Sequence, residues 1–128
     1  MHFESRDRIT SGYFTIREGL ESFNGVVHGG ILITLMDSAM SRWLYDRDIH
    51  ALTAIIKVRF RRSAVPGERL YVEASKKRQK GRRYYMVSRL INEQGLEIAC
   101  AEAVFILIGK QVQENLFEED LICESPSR

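Results

Sequence analysis

The sequence is short of several things, and each shortage removes a class of protein. Cys100 and Cys123 are the only cysteines among 128 residues. Two are too few for a disulfide framework, and reduced thiols in a cytoplasmic protein are expected. Proline occurs twice and glycine nine times, which excludes collagen-like and low-complexity chains. The longest uncharged run, Ser22 to Met36, is 15 residues and holds three Gly and a His. It is too short and too interrupted to span a bilayer, so no membrane span is expected. The opening MHFESRDRIT has no apolar core, and no secretory signal is expected from it. Charge of one sign is lacking too: the net charge is +2, which gives no ground for a nucleic-acid partner.

What is present fits one globular domain, with 45% hydrophobic and 28% charged residues, a balance that argues against disorder. The chain is too short for a doubly wound enzyme or a (β/α)₈ barrel. A domain of this size has limited room for a private pocket, so an enzyme built on it is expected to share its site with a partner subunit. The charge is unevenly placed. Residues 110–128 hold Glu114, Glu118, Glu119, Asp120 and Glu124 against Lys110 and Arg128. That divides the chain into a basic domain, 1–109, and an acidic C-terminal tail, 110–128. The tail is left open between a helical turn or two around Leu116 to Leu121 and no fixed structure.

Hydrophobic periodicity places a helix over Gly29 to Tyr45, apolar on most sides and about 25 Å long. GYFTIR, Gly12 to Arg17, reads as a strand before it. After it, Leu52, Ala54, Ile56, Val58 and Phe60 alternate with Lys57, Arg59 and Arg61, a period of two with one apolar and one basic face. Three more strands follow, over Arg69–Gln79, Arg83–Asn92 and Leu96–Ile108, separated by turn signals at VPGE, KG and NEQG. The last is apolar on both faces from Ala103 onward, as a central or doubly covered strand would be. One apolar helix followed by antiparallel strands buries itself only if the sheet curls around it. The expected class is therefore α+β, a hotdog fold: one long central helix wrapped by a curved antiparallel sheet of about five strands.

The helix also carries the chemistry. At 100° per residue, Gly30, Thr34, Asp37, Ser38 and Ser41 share an arc of about 100°. Asp37 has two settings open to it. It is either a solvated carboxylate, satisfied by Ser and Thr hydroxyls, or a carboxylate in a low-dielectric cleft, able to act as general base or nucleophile. The entry, His28-Gly29-Gly30, is either a tight turn into a close-packed helix or a bare helix terminus. In the second case its N–H groups would receive an anion or a developing oxyanion. Gly29 and Asp37 lie eight residues apart, about 12 Å along a helix, yet an oxyanion donor and a base must both lie about 3 Å from the reacting group. One helix cannot supply both, whereas two helices related by a two-fold axis can, so an isologous homodimer is expected.

These residues carry a family resemblance. Phe23-Asn24-Gly25-Val26-Val27-His28-Gly29-Gly30, then Leu35-Met36-Asp37, resembles the hotdog-fold acyl-CoA thioesterases of the PaaI-like group, which place an acid nine positions after the His of an H-G-G. The similarity continues through Thr53, Phe60-Arg61-Arg62-Ser63-Ala64-Val65-Pro66-Gly67 and Gly81-Arg82, over about residues 12–108. The resemblance implies hydrolysis of an acyl-CoA thioester by a homodimer or a dimer of dimers. Asp37 would activate water or attack the carbonyl, and the Gly29 N–H of the opposite subunit would polarise it. His28 and Gly30 would shape the entrance, and Thr34, Ser38, Ser41 and Thr53 would line the substrate. No metal or other cofactor is implied, coenzyme A entering only with the substrate. The family Asn that positions the nucleophile falls at Ser22 here, so either Ser22 or Asn24 takes that role, or it is missing. The basic hairpin Lys76–Arg83 is either a solvated tip or a grip for the phosphates of coenzyme A, by Lys80, Arg82 and Arg83 together with Arg62. The alternative function is a non-catalytic acyl-CoA-binding or regulatory hotdog module. A hotdog dehydratase fits poorly, because His28 is not placed to work with the acid.

Overall fold

A computed structural model describes residues 2–19 and 25–108. Ser22, Asn24, Cys123 and the acidic tail lie outside the described residues. Among the described residues, six strands and one helix run in the order β1 (Glu4–Arg6), β2 (Ile9–Thr15), α1 (Gly29–Tyr45), β3 (Ala51–Phe60), β4 (Arg69–Lys80), β5 (Arg83–Ile91) and β6 (Glu97–Leu107). The sheet order is β1-β2-β4-β5-β6-β3, and every neighbouring pair is antiparallel. Helix α1 packs against one face of this sheet, which is the hotdog fold expected from the sequence.

The helix has the expected bounds, and its Leu32, Leu35, Met36, Ala39, Met40, Trp43 and Leu44 are buried. Those positions recur every three to four residues, as one wide apolar face requires. They meet the sheet side chains Leu70, Val72, Met86, Leu90 and Phe105, each all but fully buried. The count of about five strands is corrected to six by β1. Its sequence ESR has no apolar residue to mark it, and it pairs only with β2. The Asp7 turn between them sits at a positive φ of 55°, a conformation Asp tolerates better than most residues. The strand expected over Gly12–Arg17 begins earlier, at Ile9, and ends at Thr15. The last strand, β6, lies inside the sheet between β5 and β3, as its two-sided apolar character required.

The larger correction is in β3. Strict alternation puts Leu52 and Ala54 on one face with Ile56, Val58 and Phe60. The ladder with β6 instead runs Thr53↔Phe105 and then Ile55↔Val104, so Ala54 is an extra residue at a bulge. One extra residue reverses the parity of everything before it. Ala51 and Thr53 therefore share the inward face with Ile56, Val58 and Phe60. The pairing shows this directly, since their partners Leu107, Phe105, Ala103, Ala101 and Ala99 all belong to or pack on the core. Leu52 and Ile55 turn to the outer face, where Ile55 is 59% exposed.

Candidate active site

The helix entry is pinned from below. The Val27 N–H donates to the Ala64 carbonyl at 2.7 Å. His28 is the N-cap with extended backbone, and no side chain among the described residues caps the helix. Its carbonyl accepts the Ile31 N–H at 3.0 Å. The N–H groups of Gly29 and Gly30 have no acceptor among the described residues, as the first turn of an uncapped helix leaves them. A Cβ on Gly29 would lie 3.2 Å from Phe60 Cζ, whereas one on Gly30 would meet nothing within 4 Å. Glycine at 29 thus lets the Phe60 ring rest on the helix start, and glycine at 30 leaves the terminus open.

Two turns further on, the Thr53 hydroxyl donates to Asp37 Oδ1 at 2.8 Å. The β3 bulge is what permits this, because without it an inward Ile56 would put Thr53 on the outer face. The bond holds one carboxylate oxygen and leaves the other to the cleft beside it. That cleft has a volume of about 710 Å³ and is lined by Asp37, Ser38 and Ser41, then Arg42, Tyr45 and His50. Its apolar side is Phe3, Ile49, Ala51, Leu52 and Ile108. A carboxylate fixed by one hydroxyl at the mouth of a mixed polar and apolar cleft can take a proton from water or attack an electrophilic carbon.

The structure thus brings Asp37, Thr53, Ser38 and Ser41 together. Thr34 is less available, because its hydroxyl donates to the Gly30 carbonyl at 2.9 Å in its own helix. His28 and Gly29 stand about 12 Å from Asp37 along α1. The four candidate phosphate contacts do not form one cluster within the chain. Lys80 and Arg83 pair at the β4–β5 hairpin, with Arg82 in the turn between them. Arg83 lies opposite Ile106, and Ile106 opposite Leu52, so this hairpin stands at the Thr53 end of the sheet. Arg62 follows β3 at the other end, where its N–H donates to the Ile98 carbonyl and its Nη1 to the Glu97 carbonyl. Ten residues of strand separate the two places, roughly 30 Å. Sequence reasoning passed over the lining by Arg42, Tyr45 and His50. Tyr45 follows Ser41 by four on the Asp37 face, a spacing that could have found it; nothing local marks His50 or Phe3.

Among the described residues, no group of three or more His, Cys, Asp or Glu could hold a metal ion. No described helix is long and apolar enough to cross a membrane.

One helix on an antiparallel sheet is a fold shared with several solved thioesterase structures. A hypothetical thioesterase from Streptococcus pneumoniae TIGR4, solved with coenzyme A, superposes with a TM-score of 0.80 at 17% identity, over 84% of this chain and 88% of that one. Two further structures of that protein carry Ala in place of an Asp and of a Thr, and the two positions are sixteen residues apart. The protein smu.793 from Streptococcus mutans UA159, bound to acetyl CoA, gives 0.76 at 18% identity, over 84% and 88%. PaaI from the phenylacetic acid degradation operon of E. coli gives 0.77 at 19% identity, over 81% and 80%. No curated protein sequence matches. The family model of the thioesterase superfamily matches residues 24–99, more than half of the chain, and the chain belongs to that superfamily.

Proposed function

We propose that this protein hydrolyses an acyl-CoA thioester to the free acid and coenzyme A. The observation that carries the proposal is the hydrogen bond from Thr53 to Asp37 at the mouth of the cleft. Asp37 and Thr53 are sixteen residues apart, the spacing of the Asp and Thr replaced in the pneumococcal thioesterase. The coenzyme A and acetyl CoA in two of the similar structures add to this support.

As general base, Asp37 takes a proton from water while the water oxygen attacks the thioester carbonyl. The oxyanion forms, the C–S bond breaks, and the proton passes to the departing thiolate. As nucleophile, the carboxylate itself displaces the thiolate and water then cleaves the anhydride. Either route needs donors for the oxyanion, and the unpartnered Gly29 N–H suits that role with Gly30 and His28 beside it. Placement along β3 explains how a homodimer would bring them to Asp37. Gly29 packs on Phe60 near one end of β3, and Asp37 bonds Thr53 near the other. The strand is at the sheet edge, with Phe60 50% exposed. Antiparallel pairing of two β3 strands about a two-fold axis lays the partner's Gly29 beside Asp37, twice per dimer. It also brings the partner's Arg62 toward Lys80, Arg82 and Arg83, which together would grip the coenzyme A phosphates. Ser38 and Ser41 then line the acyl group, and Ser22 or Asn24 completes the entrance. A cytoplasmic setting fits the few cysteines and a coenzyme A substrate, and a dimer of dimers would use the remaining sheet surface.

Thiol release from a panel of acyl-CoAs tests the activity, and Asp37→Asn should abolish it. Activity unchanged in that variant would overturn the assignment. Saturable binding without thiol release by the wild type would make the chain a non-catalytic acyl-CoA-binding module instead. Mixing Asp37→Asn with Gly29→Pro subunits, the second lacking the donor N–H, tests the shared site. Each mixed dimer regains one intact site, so an equimolar mixture should recover about a quarter of the wild-type activity. No recovery despite subunit exchange would refute it.

A further inference from the structure

We infer that the cleft beside Asp37 selects an acyl group of limited length whose far end carries a carboxylate. The inference rests on the hydrolase proposed above and concerns what that site accepts. From Asp37 the cleft runs toward the C-terminal end of α1, away from the glycines. Ser41, Arg42 and Tyr45 follow at four, five and eight residues, and the chain returns to the cleft at Ile49 and His50. A substrate with its carbonyl at Asp37 therefore meets first two serines and then a guanidinium, a phenol and an imidazole.

The charges along this path are one-sided. Among the described residues Asp37 is the only acid lining the cleft, and it stands at the reacting end. Arg42 contacts Asp46 through Nε at 3.3 Å. That leaves further donors on its guanidinium, and Asp46 is shared, since its Oδ2 also accepts the Ser5 hydroxyl at 2.6 Å. His50 contacts Asp48 through one nitrogen at 3.2 Å. Along the stem, Phe3, Ala51 and Ile108 offer apolar contact to methylenes. An alkyl end would press hydrocarbon against Arg42, Tyr45 and His50 and strip their water without replacing it. A carboxylate end would receive charge-assisted hydrogen bonds.

Spacing sets the length. Arg42 and Tyr45 lie about 7.5 and 12 Å beyond Asp37 along the helix. An extended carbon chain gains about 1.3 Å per bond, a third of the Cα–Cα step, so the far carboxylate belongs about six to nine bonds from the thioester carbonyl. The side-chain reach of Arg42 shortens the lower bound.

The test compares mono-coenzyme A thioesters of six- and eight-carbon dicarboxylic acids with hexanoyl- and octanoyl-CoA. The wild type should favour the dicarboxylic thioesters by about tenfold or more in kcat/KM, the scale of one charge-assisted hydrogen bond. Arg42→Met should bring that ratio near unity, Arg42→Glu should invert it, and Arg42→Lys should keep most of it. A wild-type preference for the alkanoyl thioesters, or a ratio unmoved by Arg42→Met, would overturn the inference. If no thioester is cleaved, the hydrolase assignment fails, and calorimetric binding to Asp37→Asn then reads the cleft alone. Tighter binding of the dicarboxylic thioester supports the inference, and equal or weaker binding overturns it.

Discussion

Replacing Thr53 by Val changes one atom at the proposed centre. Valine has nearly the same shape, favours a strand as threonine does, and cannot donate to Asp37 Oδ1. The lost bond is 2.8 Å long and partly buried. Hydrogen bonds to charged groups contribute about 1.5–3 kcal/mol, but water reaches this carboxylate, so roughly 1–2 kcal/mol is expected. If Thr53 holds Asp37 in its working geometry, that loss appears in the transition state, and kcat falls about 5- to 30-fold. Thr53 acts through Asp37 in this account and is a positioning residue. KM should therefore stay within about twofold of wild type, because an interaction lost only in the transition state lowers kcat and kcat/KM alike. Thr53→Ser keeps the hydroxyl and should restore most of kcat. Continuous thiol detection over a range of acyl-CoA concentrations separates the two constants, and a thermal melt checks that the fold survives. A Thr53→Val enzyme with wild-type kcat, or a Ser variant as impaired as the Val variant, would refute the positioning role.

Other substitutions test the scaffold. Gly12→Ala would place a Cβ 2.5 Å from the His2 carbonyl oxygen, so the chain before β1 must shift. A loss of about 1–3 kcal/mol in a denaturant titration is expected, and an unchanged midpoint would show that the crossing over β2 is loose. Arg47 stacks 3.8 Å from the Trp43 ring centroid and donates to the carbonyls of Trp43 and Asp7. Trp43 Nε1 donates to the Arg8 carbonyl. Arg47→Met should loosen the β1–β2 hairpin from α1 by about 1–2 kcal/mol, read as faster amide exchange in Glu4–Ile9. Exchange rates equal to wild type would remove Arg47 from that role.

The sequence alone carried the elements whose signals are local. The bounds of α1 were legible because its apolar residues recur at helical spacing from the His-Gly-Gly start to Tyr45. The four long strands were legible because turn residues bracket them, and β1 was not, since ESR has no apolar residue to bury. Asp37 stood out as a carboxylate on an apolar helix, and its distance from the Gly29 end of that helix could be counted from the eight residues between them.

What the tertiary structure decided depends on register and on the far ends of elements. Alternation along β3 fails at Ala54, and no local feature of LTAII announces the bulge. Only the ladder with β6 shows it, and only the bulge turns Thr53 inward to Asp37. The cleft beyond Asp37 draws Phe3, Arg42, Tyr45 and His50 from separate stretches, so no spacing rule could assemble it. The basic residues illustrate the same limit. Sequence composition grouped Arg62 with Lys80, Arg82 and Arg83 by charge, while the sheet sets them at opposite ends of β3. Proximity in a folded chain follows strand pairing, and strand pairing is decided by the packing of side chains far apart in sequence.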